Sequence, residues 1–145
     1  MVDAAHEALS IREAAAWASF EAAVAAVPRD KRSDPLLPDG WSVKDALWHL
    51  ALWWEICADT FEAKAEGGAD EGELGDTDEI NAGALAASRA MSLDDVETGM
   101  AKIRARMLSA WEAVPADPAT TETFEGETIE HYEDHRPAIE ALAHG

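Results

Sequence analysis

The sequence is short of cysteine and of long apolar runs, and each shortage excludes a class of protein. Cys57 is the only cysteine among the 145 residues, so a disulfide within the chain is impossible, and the composition fits a reducing cytoplasm. The longest apolar run covers residues 46–58 and contains His49 and Glu55, which makes it too short to cross a bilayer. The first residues do not resemble a signal peptide. We therefore expect a soluble, cytoplasmic protein with no membrane partner.

Positive charge is also scarce in this chain. Thirty acidic residues stand against eleven basic ones, which gives a formal net charge of -19. A surface of this sign repels phosphate backbones, so DNA and RNA are not expected as partners. Most of the acidic residues are explained by solvated helix faces. Attraction of cations is compatible with a metal site, but it is too general to indicate one.

Helical periodicity is what the sequence does contain. Apolar residues recur at spacings of three and four, and no segment sustains the alternation that is typical of a strand. The pattern predicts an all-α protein, and the length fits a single domain over residues 1–145. The predicted helical segments cover residues 3–27, 42–66, 92–114 and 128–142.

Capping and breaking residues mark the ends of these segments. Ser42 and Ser92 are good N-caps for the second and third segments. Gly67 stops the second segment, and Pro115 and Pro118 close the third. Each boundary is therefore supported by a local physical signal.

The connections between the segments complete the predicted architecture. Residues 35–40 form a turn, and the acidic, glycine-rich residues 67–78 indicate a loop. An additional helical turn is predicted at about residues 80–90, before the third long segment. Four amphipathic helices in this order favour an up-down four-helix bundle.

Three histidines carry the clearest chemical signal. His131 and His135 are four residues apart, so their rings lie on one face of a helix and can reach a single ion. His49 stands alone in the apolar second segment, and from a facing helix it would supply a third ligand. Three protein ligands leave the fourth tetrahedral position open, which is typical of a reactive metal rather than a structural one. Alone, a buried histidine or a pair at this spacing is weak evidence for a metal.

Two motifs around these histidines resemble a known group of proteins. The sequence GWSVKDALWHL at residues 40–50 resembles the second-helix signature of the DinB-like superfamily, and HYEDHRPAI at residues 131–139 resembles its fourth-helix signature. This superfamily includes the DinB and YfiT group, the mycothiol-dependent maleylpyruvate isomerase N-terminal domain and the ClbS/DfsB bundles. The resemblance implies a four-helix bundle in which one histidine from helix two and two from helix four hold a divalent metal. At all three positions this chain has histidine: His49, His131 and His135.

The resemblance also suggests a reaction. Imidazoles suit zinc, nickel, copper and iron, and the resemblance favours zinc or nickel. Such an ion activates a bound thiol or water for attack on a small electrophile, and the resemblance favours transfer of a low-molecular-weight thiol. The metal ligands are the only catalytic residues that the sequence indicates.

Two other functions are open at this stage. The protein could be a non-catalytic bundle that binds or sequesters a small molecule, or a structural dimer whose histidines hold adventitious metal. The sequence defines neither the thiol nor the substrate.

Several residues near the histidines invite an interpretation. Asp45 and Glu127 each precede a histidine by four residues, so either could accept the second ring N–H, or both could be solvated. Cys57 is expected to be a small core hydrophobe. His6 and His144, near the two ends of the chain, are predicted to be surface residues.

Aromatic residues and a proline shape the remaining expectations. Trp48, Trp53 and Trp54 make the second segment apolar nearly all round, so a loop or a second copy of the chain should cover its outer side. The resemblance favours the second copy, and we expect a homodimer. Trp41 should pack under the connection between the first two segments, and Pro137 should bend the last helix just after the histidine pair.

Overall fold

The computed structural model describes residues 3–68 and 76–144, except the side chain of His144, and this part of the chain is helical with no strand. The predicted all-α class is therefore confirmed. Four long helices form a bundle to which two shorter ones are added, and a short 3-10 turn, Arg29–Lys31, follows the first helix. The helices are α1 (Ala4–Ala25), α2 (Val43–Ala65), α3 (Thr77–Arg89), α4 (Leu93–Glu112), α5 (Pro118–Glu127) and α6 (Ile129–His144).

Side-chain caps begin most of these helices. At each of five N-termini the side chain of the residue before the helix accepts a hydrogen bond from a backbone N–H of the first turn. Each cap stabilises its helix by about 1 kcal/mol. The predicted caps Ser42 and Ser92 are confirmed. The five capping residues are Asp3, Ser42, Asp76, Ser92 and Asp117.

Helix α4 runs parallel to α2, and α3 makes this possible. Near the start of both helices the Nζ of Lys44 donates to the carbonyl oxygen of Met91, at 2.6 Å, and near their ends Arg106 pairs with Glu62. The intervening α3 runs antiparallel to α2, so α4 begins at the same end of the bundle as α2. The directions of the four long helices are therefore up, down, down, up, so the predicted bundle does not simply alternate.

The bundle consists of two parallel helix pairs. Helices α2 and α4 form one pair, and α1 and α6 form the other, with α6 antiparallel to α2. Buried aromatic and aliphatic side chains from both pairs fill the space between them. They include Phe20, Leu50, Trp54, Phe61, Val96, Met107, Trp111, Phe124, Tyr132 and Ile139.

Helix α5 is a departure from the sequence-based prediction. Pro118, which was expected only to help close the preceding helix, is the first residue of a new one, because a proline at this position loses no hydrogen bond and Asp117 caps the helix. The ring of Phe124 stacks on that of Trp111, with centroids 4.4 Å apart. Helix α5 therefore packs against the end of α4, and Thr128 separates α5 from α6.

Helix α3 is longer than the turn expected at residues 80–90. It begins at Thr77 and therefore shortens the predicted loop at residues 67–78, of which residues 69–75 lie outside the described part. Its residue Asn81 accepts a hydrogen bond from the Nε1 of Trp53, at 2.9 Å. The outer side of α2 is thus covered by the chain itself.

Trp48 also has its partner within the chain. A Cβ added to Gly99 of α4 would lie 3.0 Å from its Cζ3 atom, so the glycine leaves room for the indole. With Trp53 under α3 and Trp54 in the core, none of the three tryptophans needs a second copy of the chain. The homodimer stays a prediction and cannot be argued from these residues.

The prediction that His6 is a surface residue is wrong. Its side chain is buried, and its Nε2 lies 2.6 Å from the carbonyl oxygen of Val114 and 3.1 Å from that of Trp111. Its Nδ1 lies 3.0 Å from a carboxylate oxygen of Asp3. The first turn of α1 docks on the end of α4, a contact across more than one hundred residues that no local pattern reveals. The side chain of His144 lies outside the described part.

Pro137 does not end the last helix. Helix α6 continues through this proline to His144.

No helix in residues 3–68 and 76–144 has the length and hydropathy that crossing a membrane requires.

Candidate metal centre

His49, His131 and His135 form one cluster across the gap between the two helix pairs. The antiparallel α2 and α6 face each other here, and the one-turn spacing on α6 places both of its rings toward His49. The Nε2 atoms of His49 and His131 are 2.9 Å apart. The ring centroids are separated by 4.8, 5.0 and 4.9 Å, and the possible ligand atoms all lie within 4.8 Å of one another.

The cluster is held in its neutral form by its surroundings. Burial, followed by the nearby His135, lowers the pKa of His49 to about 4. Burial, followed by the two neighbouring rings, lowers the pKa of His131 to about 3. Burial also lowers the pKa of His135. Near neutral pH each ring therefore offers a free lone pair, which is the form that binds a metal.

The geometry fits a small divalent ion. Ligand nitrogens about 2.0–2.1 Å from a tetrahedral zinc are roughly 3.3 Å from each other, which falls within the spacings found here. The two closest Nε2 atoms can form a hydrogen bond only if one of them carries a proton, whereas an ion accepts both lone pairs. The Nδ1 atoms of His49 and His131 are buried and have no hydrogen-bond partner in the described part of the chain, whereas their Nε2 atoms face each other in the cluster.

Comparison with known proteins places the chain in a family. Residues 13–145 match the model of the mycothiol maleylpyruvate isomerase N-terminal domain. The chain belongs to this family. It lies within the DinB-like superfamily, so the resemblance seen in the two motifs is confirmed. No curated protein and no solved structure matches the chain.

Asp45 does not orient a histidine in this family member. One of its carboxylate oxygens accepts from the backbone N–H of Ser42, and the other accepts from the hydroxyl of Ser88, at 2.6 Å. Both sequence-based interpretations of Asp45 are therefore wrong, because the carboxylate is buried and is used to cap α2 and to hold α3 against it.

Glu127 does not orient a histidine either. The Nδ1 of His131 has no partner among the described residues, so the carboxyl group forms no bond to it. Glu127 instead borders a cavity of 380 Å³ between α2 and α5, together with Cys57. Burial raises the pKa of Glu127 to about 7.

Cys57 is a core residue, as predicted. Its side chain is buried, and burial raises the pKa of the thiol far above its usual range, with the Glu127 carboxylate adding to the effect. The thiol is protonated at neutral pH, so it is a poor nucleophile.

Two residues at the edge of the cluster were not identified from the sequence. Trp41 lies edge-on to His49 with ring centroids 5.2 Å apart, and its backbone N–H donates to Asp39, at 3.0 Å. Both residues line a cavity of 200 Å³ that is also bordered by His135. The Asp39 carboxylate raises the pKa of His49 and His135, against the larger effect of burial.

A sequence signal for Trp41 does exist. A hydrophobic residue just before an N-cap commonly packs against the fourth residue of the helix. Trp41 precedes the cap Ser42, and Ala46, the fourth residue of α2, borders the same cavity. His49 follows Ala46 by about one turn, so this motif places the indole at the histidine cluster rather than under the connection alone.

Proposed function

We propose that this protein is a metal-dependent enzyme in which His49, His131 and His135 hold a divalent ion, zinc or nickel, that activates a low-molecular-weight thiol or a water. The preferred reaction is transfer of the thiol to a small electrophile. The observation that carries the proposal is the convergence of three neutral imidazoles on one point.

The histidines leave room for a further ligand. The group of possible ligands contains three residues, and no carboxylate or thiol among the described residues completes it. A divalent ion with an open position supplies Lewis acidity, which lowers the pKa of a thiol or water that binds there. The half-buried His131 and His135 and the cavity beside Trp41 give a small molecule a route to this point.

The thiol of Cys57 is unsuited to the reaction. The proposal therefore takes the reacting thiol to be a substrate. Cys57 is buried and protonated, so the reacting sulfur must come from a bound molecule. The name of the family refers to one such thiol, mycothiol. In the transfer, the sulfur forms a bond to the electrophilic carbon and the leaving group departs with its bonding electron pair. The thiol proton passes to solvent.

The test compares metal-loaded protein with a variant that lacks one ligand. Protein purified without a histidine tag is loaded with zinc or with nickel, and conjugation of mycothiol to monochlorobimane is followed by fluorescence. We expect turnover that His49→Ala abolishes and that Glu133→Gln, an exposed position on the same helix as two of the histidines, retains. Equal turnover in His49→Ala would remove the metal mechanism. Saturable binding of mycothiol without turnover would favour the sequestering function instead.

A further inference from the structure

A second cavity lies on the side of α2 that faces away from the histidines. It has a volume of 500 Å³ and opens between α1 and α4, with Leu47 and Trp54 of α2 at its base. Leu47 and His49 are two residues apart on one helix, so they project about 200° apart. Trp54 and Tyr132, whose rings are 6.0 Å apart, lie within the core. The cavity is therefore distinct from the candidate metal centre.

Aromatic side chains form the wall beneath this cavity, and Trp17 is the one of them with accessible surface. Phe20 and Trp54 are fully buried, and Trp17 is half-buried. The rings of Trp17 and Phe20 are nearly parallel with centroids 5.5 Å apart, and Trp54 meets Trp17 edge-on at 5.1 Å. A cavity of this volume that combines apolar and aromatic walls with charged side chains is typical of a small-molecule site.

Small residues keep the cavity open. Helices α1 and α4 belong to different pairs, and the residues that line the opening between them include Ala25, Ala101 and Ala105. All three are exposed, so no larger side chain covers the opening.

Most charged groups around the cavity already have partners. Arg104 binds the buried Glu13 through its Nε and Nη2 atoms and lies over the ring of Trp17, 5.4 Å from the centroid. Both carboxylate oxygens of Glu97 accept from Arg29. The Arg104–Glu13 pair is neutral overall, whereas Arg29 also binds Asp94, so its group carries one net negative charge. Neither group presents a free cation to the cavity.

Arg32 is the cation beside the cavity whose terminal nitrogens can bind a negatively charged ligand. Its Nε donates to the carbonyl oxygen of Val27, at 2.9 Å, whereas its two terminal nitrogens bind no residue in the described part of the chain. In a chain with a net charge of -19, this half-buried cation faces a cavity that it shares with one unpaired carboxylate, the exposed Glu21. A guanidinium presents parallel N–H groups that match a carboxylate.

We propose that this cavity binds a small aromatic monoanion, with its carboxylate on the terminal nitrogens of Arg32 and its ring against the half-buried Trp17, which Phe20 and Trp54 hold in place. The site does not include the histidines and goes beyond the proposed function. Its occupancy is independent of whether a metal is bound.

Calorimetry with two isosteric probes tests the proposal. The anion 2-naphthoate and the uncharged 2-naphthamide differ in charge and not in shape. We expect 2-naphthoate to bind at one site per chain, about tenfold more tightly than the amide, because hydrogen bonds between a guanidinium and a carboxylate are stronger than those to a neutral amide. Arg32→Gln should weaken the acid about tenfold and leave the amide unchanged, and Glu21→Gln should tighten the acid slightly.

Three controls make the result decisive. Ala101→Phe fills the cavity and should abolish binding of both probes, whereas Ala86→Phe, at an exposed alanine of α3, should leave it unchanged. His49→Ala should bind 2-naphthoate as the wild type does. The proposal is overturned by absence of saturable binding, by binding that Ala101→Phe retains, or by loss of binding in His49→Ala. A wild-type dimer that Ala101→Phe dissociates, together with no probe binding, would assign the cavity to a second copy and overturn it too.

Discussion

The Nε2 atoms of His49 and His131 lie 2.9 Å apart although 82 residues separate them in the sequence. This contact joins α2 to α6, and so it joins one parallel helix pair to the other. An ion held there would act as a crosslink between the two halves of the bundle, and its effect should therefore appear in the stability of the whole protein.

Addition of zinc or nickel should stabilise the fold. At a free metal concentration of about 100 times the dissociation constant the gain is roughly 2.7 kcal/mol, which raises the melting temperature of a chain of this size by about 5–10 °C. Differential scanning calorimetry measures the shift. We expect His49→Ala to lose the shift and Glu133→Gln to keep it, and an equal shift in both variants would show that the metal binds elsewhere.

Asp39 should strengthen metal binding without taking part in the cluster. Its carboxylate lies near enough to raise the pKa of His49 and His135, so it should also attract a cation held by them. We expect Asp39→Asn to weaken zinc binding about two- to fivefold, as for an exposed charge pair of roughly 0.5–1 kcal/mol. Competition with a chromophoric chelator gives the affinity. Unchanged affinity would indicate that solvent fully screens this carboxylate.

Replacement of His6 should destabilise the protein. The ring connects the first turn of α1 to two carbonyl groups at the end of α4. His6→Ala removes the side-chain donor to the buried carbonyl oxygen of Val114, whereas the carbonyl of Trp111 keeps a backbone donor. The expected cost is about 1–3 kcal/mol. Urea denaturation should show a lower midpoint with unchanged metal affinity. A midpoint equal to that of the wild type would mean that water replaces the ring without cost.

Loss of the Glu13–Arg104 ion pair should destabilise the protein more than loss of His6. Glu13 is only 1% exposed and accepts from both Arg104 and the hydroxyl of Tyr132. Arg104→Met leaves a buried carboxylate without its cation, for which the expected loss is about 3–5 kcal/mol. Tyr132→Phe removes one neutral donor and should cost about 1 kcal/mol. Chemical denaturation of both variants tests this order, and a larger loss in Tyr132→Phe would contradict it.

Glu127 should make stability depend on pH. Its pKa rises from a model-peptide value of 4.5 to about 7 in the folded protein, because burial disfavours the charged form. Between these values the folded state holds more protons than the unfolded state, so the contribution of this group to stability falls as pH rises from about 4.5 to 7.

The variant Glu127→Gln isolates this effect. It should melt several degrees above the wild type at pH 8 and close to the wild type at pH 4. Glu122→Gln, on the exposed wall of the same cavity, is the matched control and should show no such difference. A difference between Glu127→Gln and wild type that stays constant with pH would mean that the pKa of this carboxyl group is the same in the folded and unfolded states.

Local signals predicted a large part of this structure. The i, i+4 pair of His131 and His135 fixes a shared helical face without any tertiary information, and the caps Ser42 and Ser92 locate two helix starts. Where one residue type has two physical roles, the sequence is ambiguous. Pro118 suits both the end of one helix and the first turn of the next, and only the Asp117 cap decides between them.

Long-range contacts explain the other departures. The acceptor of His6 is 108 residues away, so a terminal histidine gives no sign of its burial. Asp45 is three residues after Ser42, a spacing at which its use in a capping box could be recognised. Its second partner, Ser88 on α3, depends on how α3 folds back along α2, which the periodicity of α3 alone does not specify.

The order of the helices along the chain also has a consequence for biosynthesis. His49 leaves the ribosome long before His131 and His135, which come from the last helix described here. A nascent polypeptide that ends before α6 carries only one of the three clustered imidazoles, and at about 5–20 residues per second the interval lasts several seconds. Under the proposed function, metal loading would follow translation of α6, and the cell would supply the ion to a chain whose other helices have already emerged.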